Sequence, residues 1–259
     1  MVKLKNANIT KYGSVQIKDS DLEKFASRQL RNYKKDYFKE PRALDVDDFV
    51  EFYLQKNVQY YKLSIDDAKN RPLGTTAITD GKVVVINEKG IPEIKIFKKG
   101  TIIIDEEACG LETRRRFTLC HEAWHSQFAL NLNIERLNEN NNTLNDTNLT
   151  IAKSFNKGKR KTAIEWEEYH ADIYATFLLM PKTFINKLFA KYHKQYFDNK
   201  RKLTAKRPQR TWLLISAIAE DLNVSKNAVA YRLRALNKIS EQVFLSLNLN
   251  AKKGDVDIV

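Results

Sequence analysis

The stretch that decides the reading of this chain is Thr113–Leu130, TRRRFTLCHEAWHSQFAL. Phe117, Cys120, Trp124 and Phe128 fall near one face at helical spacing, so the stretch reads as a helix. His121 and His125 are four residues apart within it. On a helix that spacing puts both imidazoles on one side, within reach of a single metal ion. Glu122 lies one position on and can reach the remaining ligand of that ion, a water. Zinc suits imidazole ligands and lowers the pKa of such a water to roughly 7, after which a carboxylate base can take its proton. His121 and His125 are therefore candidate metal ligands, and Glu122 is the candidate catalytic base.

A catalytic zinc needs a third protein ligand and one open position. Downstream, Ala163–Leu179 is an apolar, helical run stopped at Pro181, and it contains Glu168-Tyr-His-Ala-Asp172. Glu168 and Asp172 share a face just as the two histidines do, so a carboxylate from this second helix completes a site of two histidines and one acid. Asp172 can accept the other ring N–H of a metal-bound histidine and fix its tautomer. His170 competes for the third position. It lies about 200° around the helix from Glu168, so a regular helix cannot aim both at one ion; substrate contact or a surface position are its other readings. His193 reads as a solvated side chain, Cys120 as a small buried residue, and Cys109 carries nothing more.

Around these two helices the pattern is mixed. Residues 19–39 read as an amphipathic helix ended by Pro41, and 46–56 as a second helix with Asp45 as its N-cap. Lys82–Ile86, Glu93–Phe97 and Thr101–Asp105 are short β-type runs, with turns around Gly90–Pro92 and Lys98–Gly100, which predicts a small, largely antiparallel sheet. Leu214–Leu222, the turn Asn223-Val-Ser225 and Lys226–Leu236 look like a helix-turn-helix, with Arg232 and Arg234 on its second helix. The fold class is thus α+β. The divisions are a helical extension over 1–40, a catalytic region over 41–190, basic linker and terminal helices over 191–247, and a tail over 248–259. Residues 131–162 are Asn-rich, end in a basic cluster and hold no apolar period, so they read as a loop or mobile insertion.

The 259 residues carry a formal charge of +13 at a pI near 9.5, with only two cysteines. So few cysteines give no disulfide framework, and no run approaches the roughly 20 apolar residues of a membrane span, so the chain reads as cytoplasmic without a membrane partner. The excess charge is local. Residues 182–210 hold ten Lys or Arg against one acid, Asp198, whereas 41–181 hold 19 against 21. That basic stretch is either a solvated helix end or a phosphate-contacting surface, and the second option makes nucleic acid a possible partner through residues 182–236. A DNA-binding regulator is accordingly the alternative to an enzyme.

Three strings carry a resemblance. Arg116-Phe-Thr-Leu-Cys-His-Glu-Ala-Trp-His125, Glu168-x-x-Ala-Asp-x-x-Ala175 and Leu178-Leu-Met-Pro181 closely resemble the ImmA/IrrE family of zinc metallopeptidases. Ala43-Leu-Asp-Val46, Val224-Ser225 and Arg232-Leu233 fit as well, so the likeness covers roughly residues 40–240. It implies a small zincin-like fold of the gluzincin type. It also implies an endopeptidase that cleaves helix-turn-helix repressors to release mobile-element or stress-response genes. His121, His125 and Glu168 would be the zinc ligands and Glu122 the base. Two departures stand out: Trp124 occupies the position before the second histidine where the family commonly has Gly, and 131–162 lengthens the span between the motifs. Tyr169, His170 and Tyr174 are the candidates for stabilising an oxyanion, and an edge strand within Lys82–Phe97 would hold an extended substrate by main-chain pairing.

Overall fold

The computed structural model describes residues 8–9, 15–63, 73–77, 79–107, 109–128, 163–198 and 207–247. The Asn-rich segment 131–162, the basic residues 199–206 and the tail from 248 lie outside the described residues. The chain divides into two compact units, one of Met1–Leu22 with Asp45–Ala175 and one of Glu23–Leu44 with Thr176–Val259.

The first unit is α+β. A two-stranded ribbon, β1 (Asn8–Ile9) with β2 (Val15–Gln16), precedes α1 (Asp19–Tyr33), which runs on into the second unit. A sheet follows, built from β3 (Val58–Leu63), β4 (Gly74–Thr76), β5 (Gly81–Ile86), β6 (Pro92–Phe97) and β7 (Ile102–Asp105) in the order β4-β7-β3-β5-β6. Glycines at positive φ, Gly90 (77°) and Gly100 (87°), make the turns that flank β6, a conformation other residues adopt only with strain. Two helices complete the unit: α2 (Glu112–Phe128) and the greater part of α3 (Ala163–Leu179).

The sheet is mixed, which corrects the antiparallel expectation. β3 and β7 run parallel, with Val58 opposite Ile102 and Tyr61 opposite Asp105, while the other three pairs are antiparallel. The reason lies in β7. Ile102, Ile103 and Ile104 are all fully buried, so both faces of the strand are covered and its continuous apolar run says nothing about direction. β3 went unnoticed because VQYYKL is half-buried along nearly its whole length and shows no clean alternation. β4 has three residues, too few for a period.

The helix expected over 46–56 starts at Val46 as expected but ends at Tyr53, and its Asp48–Tyr53 part is π-helical, with the Leu54 N–H donating to the Phe49 carbonyl five residues back at 2.9 Å. The helix expected over 19–39 stops at Tyr33. Beyond it the chain turns, and in the second unit Tyr37 stacks on Phe184 at 5.3 Å, burying an aromatic that a continued helix would not place there.

Two features fix α2 against the sheet. The first is Gly74 on β4: a Cβ there would stand 2.7 Å from Thr118 Cγ2 and 3.2 Å from Glu122 Cγ, so strand and helix approach closely only because the side chain is missing. The second is Arg115. Its guanidinium forks onto both oxygens of Asp47 (2.7 and 2.8 Å), bonds both oxygens of Glu112 and donates to the Tyr60 hydroxyl at 2.9 Å. The hydrogen bond from Arg115 is the main reason the Asp47 carboxyl titrates below its ordinary 3.8. A carboxylate with a lowered folded pKa contributes stability that is complete above the unfolded value and disappears as pH falls through the folded one. Asp47→Asn should therefore cost about 1 kcal/mol at pH 7, a figure that already allows for solvent screening of this partly exposed pair. The difference from wild type should close as pH drops below 3.8, and urea midpoints measured from pH 7 to pH 3 would check it.

The second unit is helical: most of α1, α4 (Lys182–His193), α5 (Arg207–Leu222), α6 (Lys226–Ala235) and α7 (Glu241–Ser246). A π-helical turn, Lys194–Asp198, extends α4. α5 and α6 are joined as expected. Asn223 takes a left-handed φ of 50°, and Ser225 caps α6 by accepting from the Ala228 N–H at 3.1 Å. Arg232, however, does not point out as a base-reading side chain. It is buried, pairs with Glu23, donates to the Met180 carbonyl at 3.2 Å and lies over the Phe177 ring. Arg234 is ion-paired with Glu241 at 2.6 Å. Among the described residues no helix is long and apolar enough to cross a membrane.

Candidate metal centre

α2 and α3 each bring polar side chains to one place in an otherwise apolar interior. Along α2 the four-residue spacing stacks His121 over His125, with their Nε2 atoms 3.1 Å apart. From α3, Glu168 presents one oxygen 3.3 Å from His121 Nε2 and the other 3.4 Å from His125 Nε2. One ligand atom from each of the three lies within 4.8 Å of the others, close enough to bind one metal ion. Asp172, one turn beyond Glu168, meets His121 from the opposite side, its Oδ1 2.8 Å from Nδ1. That contact leaves Nε2 as the nitrogen facing the cluster, the tautomer role expected of Asp172.

Burial and mutual pairing shift the pKa of each member of the cluster. Burial first, and then the neighbouring His121 charge, push the His125 pKa down to about 4, so His125 is a neutral imidazole at neutral pH. Burial works against a charged His121 too, but its bonds to Asp172 and Glu168 outweigh it and hold the pKa well above 6.5. Burial likewise opposes a charged Glu168, and there the two histidines win, keeping its carboxyl below 4.5. With Glu122, Glu168 and Asp172 around two imidazoles, the pocket favours a positive charge at its centre.

Glu122 is 5% exposed and faces β4. The Thr76 hydroxyl donates to its Oε2 at 2.8 Å and also lies 3.1 Å from its backbone carbonyl. Burial pushes the Glu122 carboxyl up to about 7, against the opposing pull of His121 and the Thr76 bond. A carboxyl at that value can both take and return a proton near neutrality.

The other sequence candidates are sorted by burial. His170 is not in the cluster; it is fully buried and accepts from the Ile17 N–H at 3.4 Å, so neither a surface position nor substrate contact applies. Tyr174 is fully buried, with its hydroxyl accepting from Gln127, and the Tyr169 hydroxyl donates to Asp19. Cys120 is buried as expected, its thiol pushed up to about 12 by burial. His193 is 44% exposed, 3.5 Å from Asp198. Trp124 turns inward, packing on Phe128, His170 and Tyr174, and its Nε1–H donates to Glu167 at 3.1 Å. The bulky residue before His125 is thus an interior filler. Among the described residues the edge strand beside Glu122 is β4, whereas β5 is interior and β6 forms the opposite edge.

Three residues escaped the sequence reading. Gly74 and Thr76 carried no signal in a three-residue strand, and Glu167 stood unremarked beside Glu168. No protein-family model matches the chain, and no curated protein matches it.

Proposed function

We propose that this chain is a zinc-dependent endopeptidase with a gluzincin-like site, of the ImmA/IrrE kind, in which His121, His125 and Glu168 hold the ion and Glu122 is the base. The observation that carries the reading is the convergence of three donor side chains from two helices, with a fourth, proton-transferring carboxylate next in sequence to the first ligand. Ligands about 2.0–2.1 Å from a tetrahedral zinc stand about 3.3 Å from one another. The spacings of 3.1, 3.3 and 3.4 Å match that set. Three protein ligands rather than four leave a position open, which distinguishes a catalytic zinc site from a structural one.

When bound, zinc supplies Lewis-acid polarisation of a carbonyl and acidifies water. The chain's own residues do the rest. Glu122 takes a proton from the attacking water and passes it to the leaving amide nitrogen. Asp172 holds the His121 ring in place through Nδ1. β4 offers a pairing edge: the residues flanking it bond the β7 side, Leu73 through Asp105 and Ala77 through Thr101, so in this register the N–H and C=O groups of Gly74 and Thr76 face the other way. An extended peptide laid along that edge would pass beside Glu122. This favours an unstructured loop of the substrate as the cleaved segment. The proposed substrate, a helix-turn-helix repressor, rests on the family resemblance.

The test is cleavage of a proteome-derived peptide library, read by mass spectrometry. The protein as purified should cut a restricted set of peptides, lose that cutting on treatment with a chelator and regain it with added zinc. Cutting that survives chelation would contradict the proposal.

A further inference from the structure

We infer that β4 is the positioning element for the base, with Thr76 the residue that sets the direction of the Glu122 carboxylate. The inference rests on the peptidase reading and goes beyond it, because it assigns a role to a side chain outside both helices. Glu122 meets β4 at two points. Its Cγ lies where a Cβ on Gly74 would be 3.2 Å away, so the stem runs across the space that the glycine leaves. Its Oε2 accepts from Thr76 Oγ1 at 2.8 Å, two residues further along the strand and on the same face. Glycine and threonine thus hold one side chain between them, the first by giving room and the second by supplying a donor.

A carboxylate on a flexible two-carbon stem has several rotamers, and only one aims a given oxygen at a reacting atom. A hydrogen bond to Oε2 selects the rotamer and commits that oxygen, which leaves Oε1 to meet the proton. Thr76 is only 4% exposed, so water does not compete for the bond. The adjacent Thr75 makes a useful contrast: its side chain points to the other face, and its buried Oγ1 has no partner among the described residues. A buried hydroxyl is therefore not always satisfied in this strand, and the one that is satisfied is the one that meets the base. Thr76 is a positioning residue rather than a catalytic one, since it acts through Glu122.

Thr76→Val keeps the shape and removes the donor. With a peptide that wild type cleaves from the library, this variant should lower kcat by about 10-fold or more with KM unchanged, since a hydrogen bond to a charged group is lost at a step after binding. Thr76→Ser should restore kcat, and Thr76→Ala should repeat the loss if valine disturbs the strand. Zinc content should stay at the wild-type value, and the melting temperature should fall by no more than roughly 10 °C, the scale of one lost buried hydrogen bond. Crystal structures of zinc-loaded wild type and Thr76→Val should show the Glu122 carboxylate turned in the variant alone. Equal kcat values in wild type and Thr76→Val, or an unmoved Glu122, would overturn this inference and leave the peptidase reading standing. A wild type that cleaves nothing in the library would bring down both.

Discussion

Glu122→Gln is expected to reduce peptide cleavage by at least about 100-fold while zinc remains bound. Positioned acid–base groups contribute roughly 10²–10⁴-fold to such reactions. Glutamine keeps the length and shape of the side chain, and its amide oxygen can still accept from Thr76, so the fold around the site should survive. What it loses is the capacity to take a proton. Because Glu122 is not among the three converging ligand atoms, the ion should be retained at wild-type stoichiometry. Cleavage and metal content measured on the same preparation separate a chemical defect from a structural one. Cleavage by the variant at the wild-type rate would remove Glu122 from the proposed mechanism.

Glu168→Ala should have the second large effect, a loss of zinc and of cleavage together. The variant leaves two imidazoles without the carboxylate that faces both. Losing a hydrogen-bond partner of a metal ligand costs roughly 10–100-fold in affinity. Asp172→Asn should fall in that range, and Glu168→Ala, which removes a ligand outright, should exceed it. Competition against a chromophoric chelator gives both affinities. If Asp172→Asn lost more than Glu168→Ala, the roles of the two carboxylates would be reversed. Their contacts argue against that reversal: Asp172 touches the outward nitrogen of His121, whereas Glu168 stands between the two inward ones.

The two halves of the cluster were legible in the sequence because each depends on helix periodicity, whereas their meeting is a matter of tertiary packing. Four-residue spacings on two helices define which side chains share a face, and both helices had strong apolar patterns. The strand beside Glu122 was not legible, for physical reasons. Three residues make no period, and the pairing that places β4 beside β7 joins positions far apart in the chain, with Gly74 opposite Ile104. The direction of β3 against β7 was hidden for another cause, since β7 is covered on both faces and carries no alternation. Burial misled in the opposite sense at His170 and Arg232. Both are polar residues that the sequence suggested for outward roles, and both are enclosed, His170 beneath Ile17 and Arg232 against Glu23 and Phe177. Polarity announces a group that needs partners; whether those partners are water, substrate or the chain itself is decided by tertiary packing.

The most direct test of the central claim is X-ray absorption spectroscopy at the zinc edge on the purified chain, with total metal measured alongside. The account predicts one zinc per chain, with two imidazoles and oxygen donors at about 2.0–2.1 Å and no sulfur, and loss of that signature in Glu168→Ala. Either a chain that binds no zinc when supplied with it, or a sulfur-containing shell, would contradict it.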